Sequence, residues 1–171
     1  MQGERGDDED CGGDGEYGVT AKRKIDNALI GAAGVHYVAA MLSMKGLIAL
    51  PTIRNAPGID LVVVNPVGSW HANIQVKTSQ YKVDFWPISS RFHEFSGHNN
   101  YYAFVRYITK GSLVEVFLET ADKVIIDVDK VLVDTRARGL KEWAPSWYLP
   151  RDPDGLKRVH EQWDNFGCLL T

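Results

Sequence analysis

The hydrophobic and polar positions divide the chain into one long apolar stretch, a series of short strand-like runs and a helical C-terminal third. The apolar stretch runs from Ala28 to Gly46, with Asn27 as a candidate N-cap. It predicts a long helix that is mostly buried. Strand-like runs follow at residues 47–53, 59–65 and 72–79. Pro66 and Gly68 in the sequence NPVGSW predict a hairpin turn between the last two of these strands.

The second half of the chain adds another hairpin and then returns to helical patterns. Strands are predicted at residues 100–108, 113–119 and 123–128, the first two joined by a turn at Lys110-Gly111. Helices are predicted at residues 86–97, 129–138 and 155–166, with a Trp- and Pro-rich loop at 143–153. The order of helix, three strands, short helix, strands and helices predicts an α/β or α+β fold with a mixed sheet.

Composition and charge indicate one domain behind a polar tail. The first 18 residues combine seven acidic side chains with six glycines, which predicts disorder over residues 1–18. Residues 19–171 then form a single domain, which suits a chain of 171 residues. The first 16 residues carry a net charge of −6, so the remainder carries +3 of the total of −3. A mildly basic body permits a polyanionic partner without demonstrating one.

Cysteine count and hydropathy exclude several classes of protein at this stage. Only Cys11 and Cys168 occur, so no disulfide framework or zinc-binding cysteine spacing is expected. No uninterrupted apolar run approaches the roughly 20 residues of a membrane span. The acidic N-terminus does not have the pattern of a secretory signal. We therefore expect a cytoplasmic protein that is not inserted in a membrane.

The residues with most chemical promise are Asp60, at the start of one predicted strand, and the polar row on its hairpin partner. Side chains two positions apart share a face of a strand, so Asn73, Gln75 and Lys77 point the same way. A carboxylate and an ammonium beside a divalent ion suit phosphodiester cleavage, because the metal activates a water and the lysine offsets developing charge. A solvated sheet face explains the same residues, and spacing alone does not separate the two interpretations.

Residues 31–80, including IDLVVV and QVKTS, resemble the core of the PD-(D/E)xK nuclease superfamily. The resemblance is to branches with a QxK motif, such as Mrr-type restriction enzymes, and to bacterial proteins that share QVKTS. It implies a restriction-endonuclease-like α/β fold with an αβββαβ core, a mixed central sheet and flanking helices. It also implies a metal-dependent nuclease acting on DNA, with Asp60 as the metal-binding acid, Gln75 in the place of the usual acidic residue and Lys77 as the catalytic lysine.

Two positions depart from the family pattern. The family's helix commonly carries a metal-binding Glu, and the matching residue here is Val35. Gln75 brings no negative charge, so Mg²⁺ or Mn²⁺ would be held weakly by Asp60, the amide of Gln75, the carbonyl of Val76 and water. The alternative is a non-catalytic module that keeps the nuclease fold and binds nucleic acid or protein. The partners expected are DNA, a protein or a second copy of the chain.

The remaining candidates are weaker. His93, Glu94 and His98 resemble a zinc motif, but the histidines are five positions apart rather than four. His36 is expected to be a surface or packing residue. Phosphate contacts are candidates at Lys22–Lys24, Lys82, Arg91 and Arg106, and base stacking at Tyr81, Phe85 and Trp86. Packing of the C-terminal helix onto the sheet is expected of Trp143, Trp147, Tyr148 and Trp163.

Overall fold

A computed structural model describes residues 25–53, 58–109, 113–141 and 144–166 of the chain. The helices are α1 (Asn27–Met44), α2 (Ala121–Ala137), α3 (Pro153–Asn165) and a 3₁₀ helix (Phe92–Phe95). The strands are β1 (Ile48–Pro51), β2 (Leu61–Val64), β3 (His71–Ser79), β4 (Phe85–Pro87), β5 (Asn100–Thr109), β6 (Leu113–Thr120) and β7 (Ser146–Tyr148). The predicted tail, both cysteines, Lys22–Lys24 and Trp143 lie outside the described residues.

Five strands form one mixed sheet in the order β1-β2-β3-β5-β6. All neighbouring pairs are antiparallel except β3 and β5, which run parallel. The predicted hairpin between β2 and β3 is confirmed, with Val64 opposite His71. Its turn is closed by Gly68 N–H, which donates to the Asn65 carbonyl at 2.9 Å, and Gly68 has a φ of +73°. The predicted α/β class with a mixed central sheet and flanking helices is confirmed.

The two faces of the sheet bury separate hydrophobic cores. On one face, α1 contributes Val38 and Leu42 to a core that includes Ile74 and Val76 of β3. On the other face, α2, the 3₁₀ helix, β4 and β7 surround an aromatic core that includes Tyr102, Phe104, Phe117, Trp86 and Trp147. The C-terminal helix α3 supplies residues to both cores. Residues that alternate along β3 therefore face two chemically different environments.

The first helix is less buried than its composition predicts. Its fully buried residues form a single stripe four positions apart, namely Ile30, Gly34, Val38 and Leu42, as expected when one face of a helix packs on a sheet. The N-cap is Asp26, whose carboxylate accepts the Ala28 N–H at 2.8 Å, rather than Asn27. By length and composition α1 could also cross a membrane. In the structure its buried stripe packs on the sheet, and a cytoplasmic location stays a prediction.

The predicted strand at residues 123–128 is wrong, because this segment belongs to α2. Its β-branched residues suggested a strand, yet the buried residues Val124 and Val128 are four positions apart, which is the spacing of a helix face. Thr120 caps the helix by accepting the Lys123 N–H at 3.3 Å. The cap and the packing of α2 on the sheet outweigh the strand propensity of the segment.

The connection between β3 and β5 also differs from its sequence-based prediction. The segment expected to hold one short helix contains β4, followed by the 3₁₀ helix. The loop expected before α3 contains β7, which pairs with β4 in a small second sheet. Trp86 of β4 and Trp147 of β7 lie opposite each other in register and are both 1% exposed. Burial of these two large rings explains why such short strands are stable.

Gly34 sets the approach of α1 to β3. A Cβ at this position would lie 1.8 Å from Thr78 Oγ1 and 2.9 Å from Thr78 Cβ. Gly34→Ala should therefore destabilise the protein by about 1–3 kcal/mol, the range for overpacking a close contact. Gly31→Ala is the matched control, because nothing lies within 4 Å of its Cβ position, and it should stabilise the helix by roughly 0.5–1 kcal/mol. Urea denaturation of both variants measures the difference, and equal stabilities would contradict the close contact.

Candidate functional site

The candidate site lies beside the first residue of β2, where β3 extends past its pairing with β2 and stays paired with β5. The pairing of these strands stops at Leu61 opposite Ile74, whereas β3 extends to Ser79. Among the described residues, no strand pairs with this edge of β3 from Gln75 onward. Free N–H and C=O groups along such an edge are available to a side chain or a ligand.

Asp60 occupies the start of this free edge. Its backbone N–H donates to the Ile74 carbonyl at 3.0 Å, and its own carbonyl accepts the Thr52 N–H at 2.9 Å. Its carboxylate Oδ2 accepts the backbone N–H of Val76 at 2.7 Å. The main chain and the side chain of Asp60 are thus both fixed, which leaves Oδ1 and the unused lone pairs of Oδ2 for another partner.

The carbonyl of Val76 faces the same edge as its N–H, because the two groups of one strand residue point to the same neighbouring strand. The pairing of β2 with β3 stops at Leu61 opposite Ile74. The Val76 carbonyl therefore lies beyond the β2–β3 ladder, on the side of Asp60. A carboxylate and a backbone carbonyl are therefore both directed to the same edge of β3. Both are oxygen ligands of the kind that Mg²⁺ and Mn²⁺ prefer.

Gln75 and Lys77 lie on the face of β3 opposite α1. In the parallel register they stand beside Tyr102 and Phe104, which belong to the aromatic core. Continued by one residue beyond the last pair, Leu61 and Ile74, the antiparallel register places Gln75 opposite Asp60. The side-chain nitrogen of Gln75 lies 4.0 Å from the Cβ position of Gly58, whose φ of +79° favours glycine.

Lys77 is a partly desolvated cation within reach of the Asp60 charge. Burial lowers the pKa of the Lys77 ammonium from its ordinary value, and the nearby carboxylate of Asp60 raises it by a smaller amount. Burial thus weakens the hold of Lys77 on its proton. The structure therefore brings Asp60, Gln75 and Lys77 to one sheet edge, although their roles there stay predictions.

The oxygen atoms at this edge suit a metal site that has a low charge and in which water supplies most of the ligands. Asp60 supplies one carboxylate, and Gln75 and Val76 supply neutral oxygens. The position that matches the family's helix Glu is Val35, which is half-buried against the α1-side core. No group of three or more His, Cys, Asp or Glu side chains that could hold a metal occurs among the described residues. The set suits a hard cation that keeps most of its water shell.

Several weaker candidates have structural explanations. Arg106 is only 7% exposed and forms ion pairs with Asp84 and Glu115, so the prediction that it contacts phosphate is wrong. Trp86 is buried and donates its indole N–H to the Val105 carbonyl at 3.1 Å, so it does not stack on a base. Tyr81 and Phe85 are exposed, so base stacking at these two residues stays a prediction.

The histidines and C-terminal aromatics are also accounted for. His93 pairs with Asp129 of α2 at 2.9 Å, and no cluster of three or more potential metal ligands occurs within the described parts of the chain. His36 is exposed on α1, in agreement with a surface role. Trp147 stacks on the Phe104 ring at 4.0 Å, and Trp163 packs in the α1-side core. Tyr148, by contrast, is half exposed and stacks on Phe85.

A pocket of about 170 Å³ adjoins the candidate site on the side of Gln75. Its walls are Gly58, Gln75, Ser89, Arg91, Phe92, Glu94, Phe95 and Tyr102. The sequence does not reveal this pocket, because its residues come from β3, β5, the connection between them and Gly58 before β2. The register of Gln75 beside Tyr102 is the feature that joins the pocket to the site.

Comparison of the whole fold decides its class. A bacterial homing endonuclease, I-Ssp6803I, has a similar structure, with a TM-score of 0.51 over 86% of this chain and 95% of that chain. The fold is nuclease-like. At 16% sequence identity, this similarity concerns the fold alone. No protein-family model and no curated protein matches the sequence. The nuclease-like fold agrees with the fold implied by the resemblance of residues 31–80, while membership of the PD-(D/E)xK superfamily stays a prediction.

Proposed function

We propose that this protein is a metal-dependent nuclease that cleaves phosphodiester bonds in DNA at Asp60, Gln75 and Lys77. The observation that carries the proposal is the position of Asp60. The Val76 N–H fixes its carboxylate on the free edge of β3, and its negative charge raises the pKa of the nearby Lys77 ammonium. The nuclease-like fold and the QxK motif support the same function. DNA as the substrate follows the printed name of the structural neighbour, a homing endonuclease.

Asp60, the carbonyl of Val76 and the amide oxygen of Gln75 would hold the metal ion, Mg²⁺ or Mn²⁺. When bound, the ion lowers the pKa of a coordinated water and offsets the charge of the phosphoryl group. The hydrogen bond from Val76 N–H keeps the Asp60 carboxylate oriented towards the edge. A fixed ligand loses little conformational entropy on binding, which partly offsets the low charge of the site.

Lys77 supplies positive charge where negative charge develops on the phosphoryl oxygens. Its partial burial strengthens this interaction, because an electrostatic contact is stronger where water is excluded. Burial also lowers the Lys77 pKa, so the ammonium loses its proton at a lower pH than an exposed lysine does. Cleavage that depends on the charged form should therefore decline at an alkaline pH below the ordinary lysine value of 10.5.

A binding module without catalysis is the second candidate function. The apolar residue Val35 where the family commonly has Glu, together with the neutral Gln75, leaves Asp60 as the single acid of the site. Such a protein would keep the nuclease-like fold and bind nucleic acid or a protein partner. A cytoplasmic location of the protein, a protein partner and a homodimeric state likewise stay predictions.

Plasmid nicking in Mg²⁺ and Mn²⁺ separates the two functions. The wild type should nick supercoiled DNA, more readily with Mn²⁺, which tolerates a site with few charged ligands. Asp60→Asn and Lys77→Met should each lower the rate at least about 100-fold, the typical loss when a charge-stabilising group is removed. Lys130→Met, at an exposed position of α2, is the matched control and should retain the wild-type rate.

The metal dependence has its own readout. Calorimetric titration should show weak Mg²⁺ binding to the wild type and none to Asp60→Asn, because that substitution removes the single carboxylate. Absence of nicking in both metals, with DNA binding retained, would favour the binding module. Equal rates for wild type and Lys77→Met would remove Lys77 from the proposed site.

A further inference from the structure

The pocket beside Gln75 is bounded by the 3₁₀ helix on one side and by β3 and β5 on the other. Its volume of about 170 Å³ is smaller than the roughly 300 Å³ at which pockets for drug-sized ligands begin. An occupant must therefore be a small group or one part of a larger molecule. Gln75 lines this pocket and also belongs to the candidate site, so its side chain separates the pocket from the site.

The hydroxyl of Tyr102 is the second observation that points to a ligand. Tyr102 is 0% exposed, and its Oη has no hydrogen-bond partner among the described residues. Burial of an unpaired hydroxyl costs about 1–3 kcal/mol, and the large majority of buried polar side-chain atoms in native proteins have a hydrogen-bond partner. Burial also raises the Tyr102 pKa to about 12, so the hydroxyl keeps its proton at neutral pH and can donate a hydrogen bond.

The walls of the pocket favour a flat and uncharged occupant. Phe92, Phe95 and Tyr102 supply aromatic surface, and the rings of Phe95 and Tyr102 pack edge to face at 5.2 Å. At the mouth, Arg91 and Glu94 approach within 3.8 Å and are both largely exposed. The opposite charges of Arg91 and Glu94 offset each other, so this pair gives the pocket no net positive charge that would favour a phosphate.

We propose that this pocket binds one unpaired nucleobase of the nucleic acid whose phosphate is cleaved at Asp60 and Lys77. A base has π faces for the aromatic walls and polar edges for Tyr102 and Gln75, and enzymes that bind extruded bases use both kinds of contact. The proposal rests on the proposed function, because it assigns the substrate a base next to the cleaved phosphate. The nuclease would thus act on DNA in which one base is unpaired or becomes unpaired on binding.

Two short DNA duplexes test the proposal. One carries a single bulged adenosine and a fluorescein label, and the other is identical except that the bulged nucleotide lacks its base. Fluorescence anisotropy in EDTA measures binding without cleavage. We expect the wild type to bind the duplex with the base about 5- to 10-fold more tightly, as expected for stacking of one base on aromatic side chains.

Tyr102→Phe should abolish most of this preference, because it removes the hydroxyl and keeps the ring. Tyr101→Phe is the matched control, since Tyr101 is the neighbouring residue of β5 and packs in the α1-side core against Phe166. It should retain the preference. Tyr102→Phe should also melt at or above the wild-type temperature, because the lost hydroxyl has no partner in the described residues. A lost preference then reports on the ligand rather than on folding.

Ser89→Trp provides a second variant, because Ser89 lines the pocket and a large ring there would fill it. A preference for the base that survives in both Tyr102→Phe and Ser89→Trp would overturn the proposal. Metal-dependent nicking by a wild type without any preference for the base would also overturn it and leave the proposed function intact. Failure to bind either duplex and to nick plasmid would overturn both.

Discussion

Replacing Val35 and Gln75 together by Glu is expected to raise the Mg²⁺ affinity of the protein more than 10-fold. The double substitution would change a site with one carboxylate into one with three. At 4 Å, a unit charge pair is worth about 4 kcal/mol at an effective dielectric constant of 20, and each 1.4 kcal/mol is a factor of about ten in affinity. Part of this gain is offset by the dehydration of the new carboxylates.

The two positions lie on opposite faces of the sheet, Val35 on α1 and Gln75 on the face of β3 opposite α1, so the double variant tests whether both carboxylates reach the edge beside Asp60. Gln75 precedes the Val76 N–H that orients Asp60. Gly34 of α1 lies against Thr78 of β3. Val35 is therefore one residue from this contact on the helix, and Lys77 is one residue from it on the strand. Because Val35 is half-buried against the α1-side core, the change to Glu should cost about 1–3 kcal/mol of stability unless a metal is bound. Added Mg²⁺ should therefore raise the melting temperature of this variant more than that of the wild type.

Plasmid nicking by the double variant in Mg²⁺ should exceed that of the wild type. Lys77→Ala in the same background should lose the nicking but keep the metal, because the lysine stabilises the reacting group and does not bind the ion. Val35→Gln with unchanged Gln75 is the matched control, since it adds a similar shape without charge. A folded double variant that neither binds Mg²⁺ more tightly nor cuts DNA would show that the protein is a binding module.

Loss of the Arg158 side chain is expected to have the largest effect on folding. Glu119 of β6 is 1% exposed, and one of its carboxylate oxygens accepts a hydrogen bond from Arg158 of α3, while the other accepts the Thr120 N–H at 2.9 Å. Arg158→Met would leave a buried carboxylate without its cation, which typically costs about 3–5 kcal/mol. Urea denaturation at pH 7 measures the loss.

A double-mutant cycle identifies the cause of that loss. Arg158→Met combined with Glu119→Gln should recover much of the stability, because no buried charge then remains unpaired. Lys157→Met is the matched control, since Lys157 lies next to Arg158 on α3 and pairs with Glu161 at the exposed surface. It should change the stability by less than about 0.5 kcal/mol. Equal losses at the two positions would contradict the assigned role of the Glu119 ion pair.

Short-range patterns in the sequence determined much of the sheet. The turn at NPVGSW and the alternation along residues 72–79 predicted the hairpin of β2 and β3, because turn residues and side-chain alternation are local properties of the chain. The same alternation predicted that Gln75 and Lys77 share a face, as the register confirms. The segment at 123–128 is helical rather than extended, because its β-branched composition is compatible with either element and burial decides between them.

Only the tertiary structure decided what surrounds the candidate residues. The free edge of β3 exists because the pairing of β3 with β2 stops at Leu61. The sequence does not reveal where the pairing of two strands ends. The sequence makes Arg106 a candidate phosphate ligand, but in the fold it pairs with Asp84, which is distant along the chain, and with Glu115 on the neighbouring strand. The pocket with Tyr102 likewise joins distant segments. Burial, ion pairing and cavities are long-range consequences of packing, so local sequence determined the elements and the chemistry available, and the fold determined which groups meet.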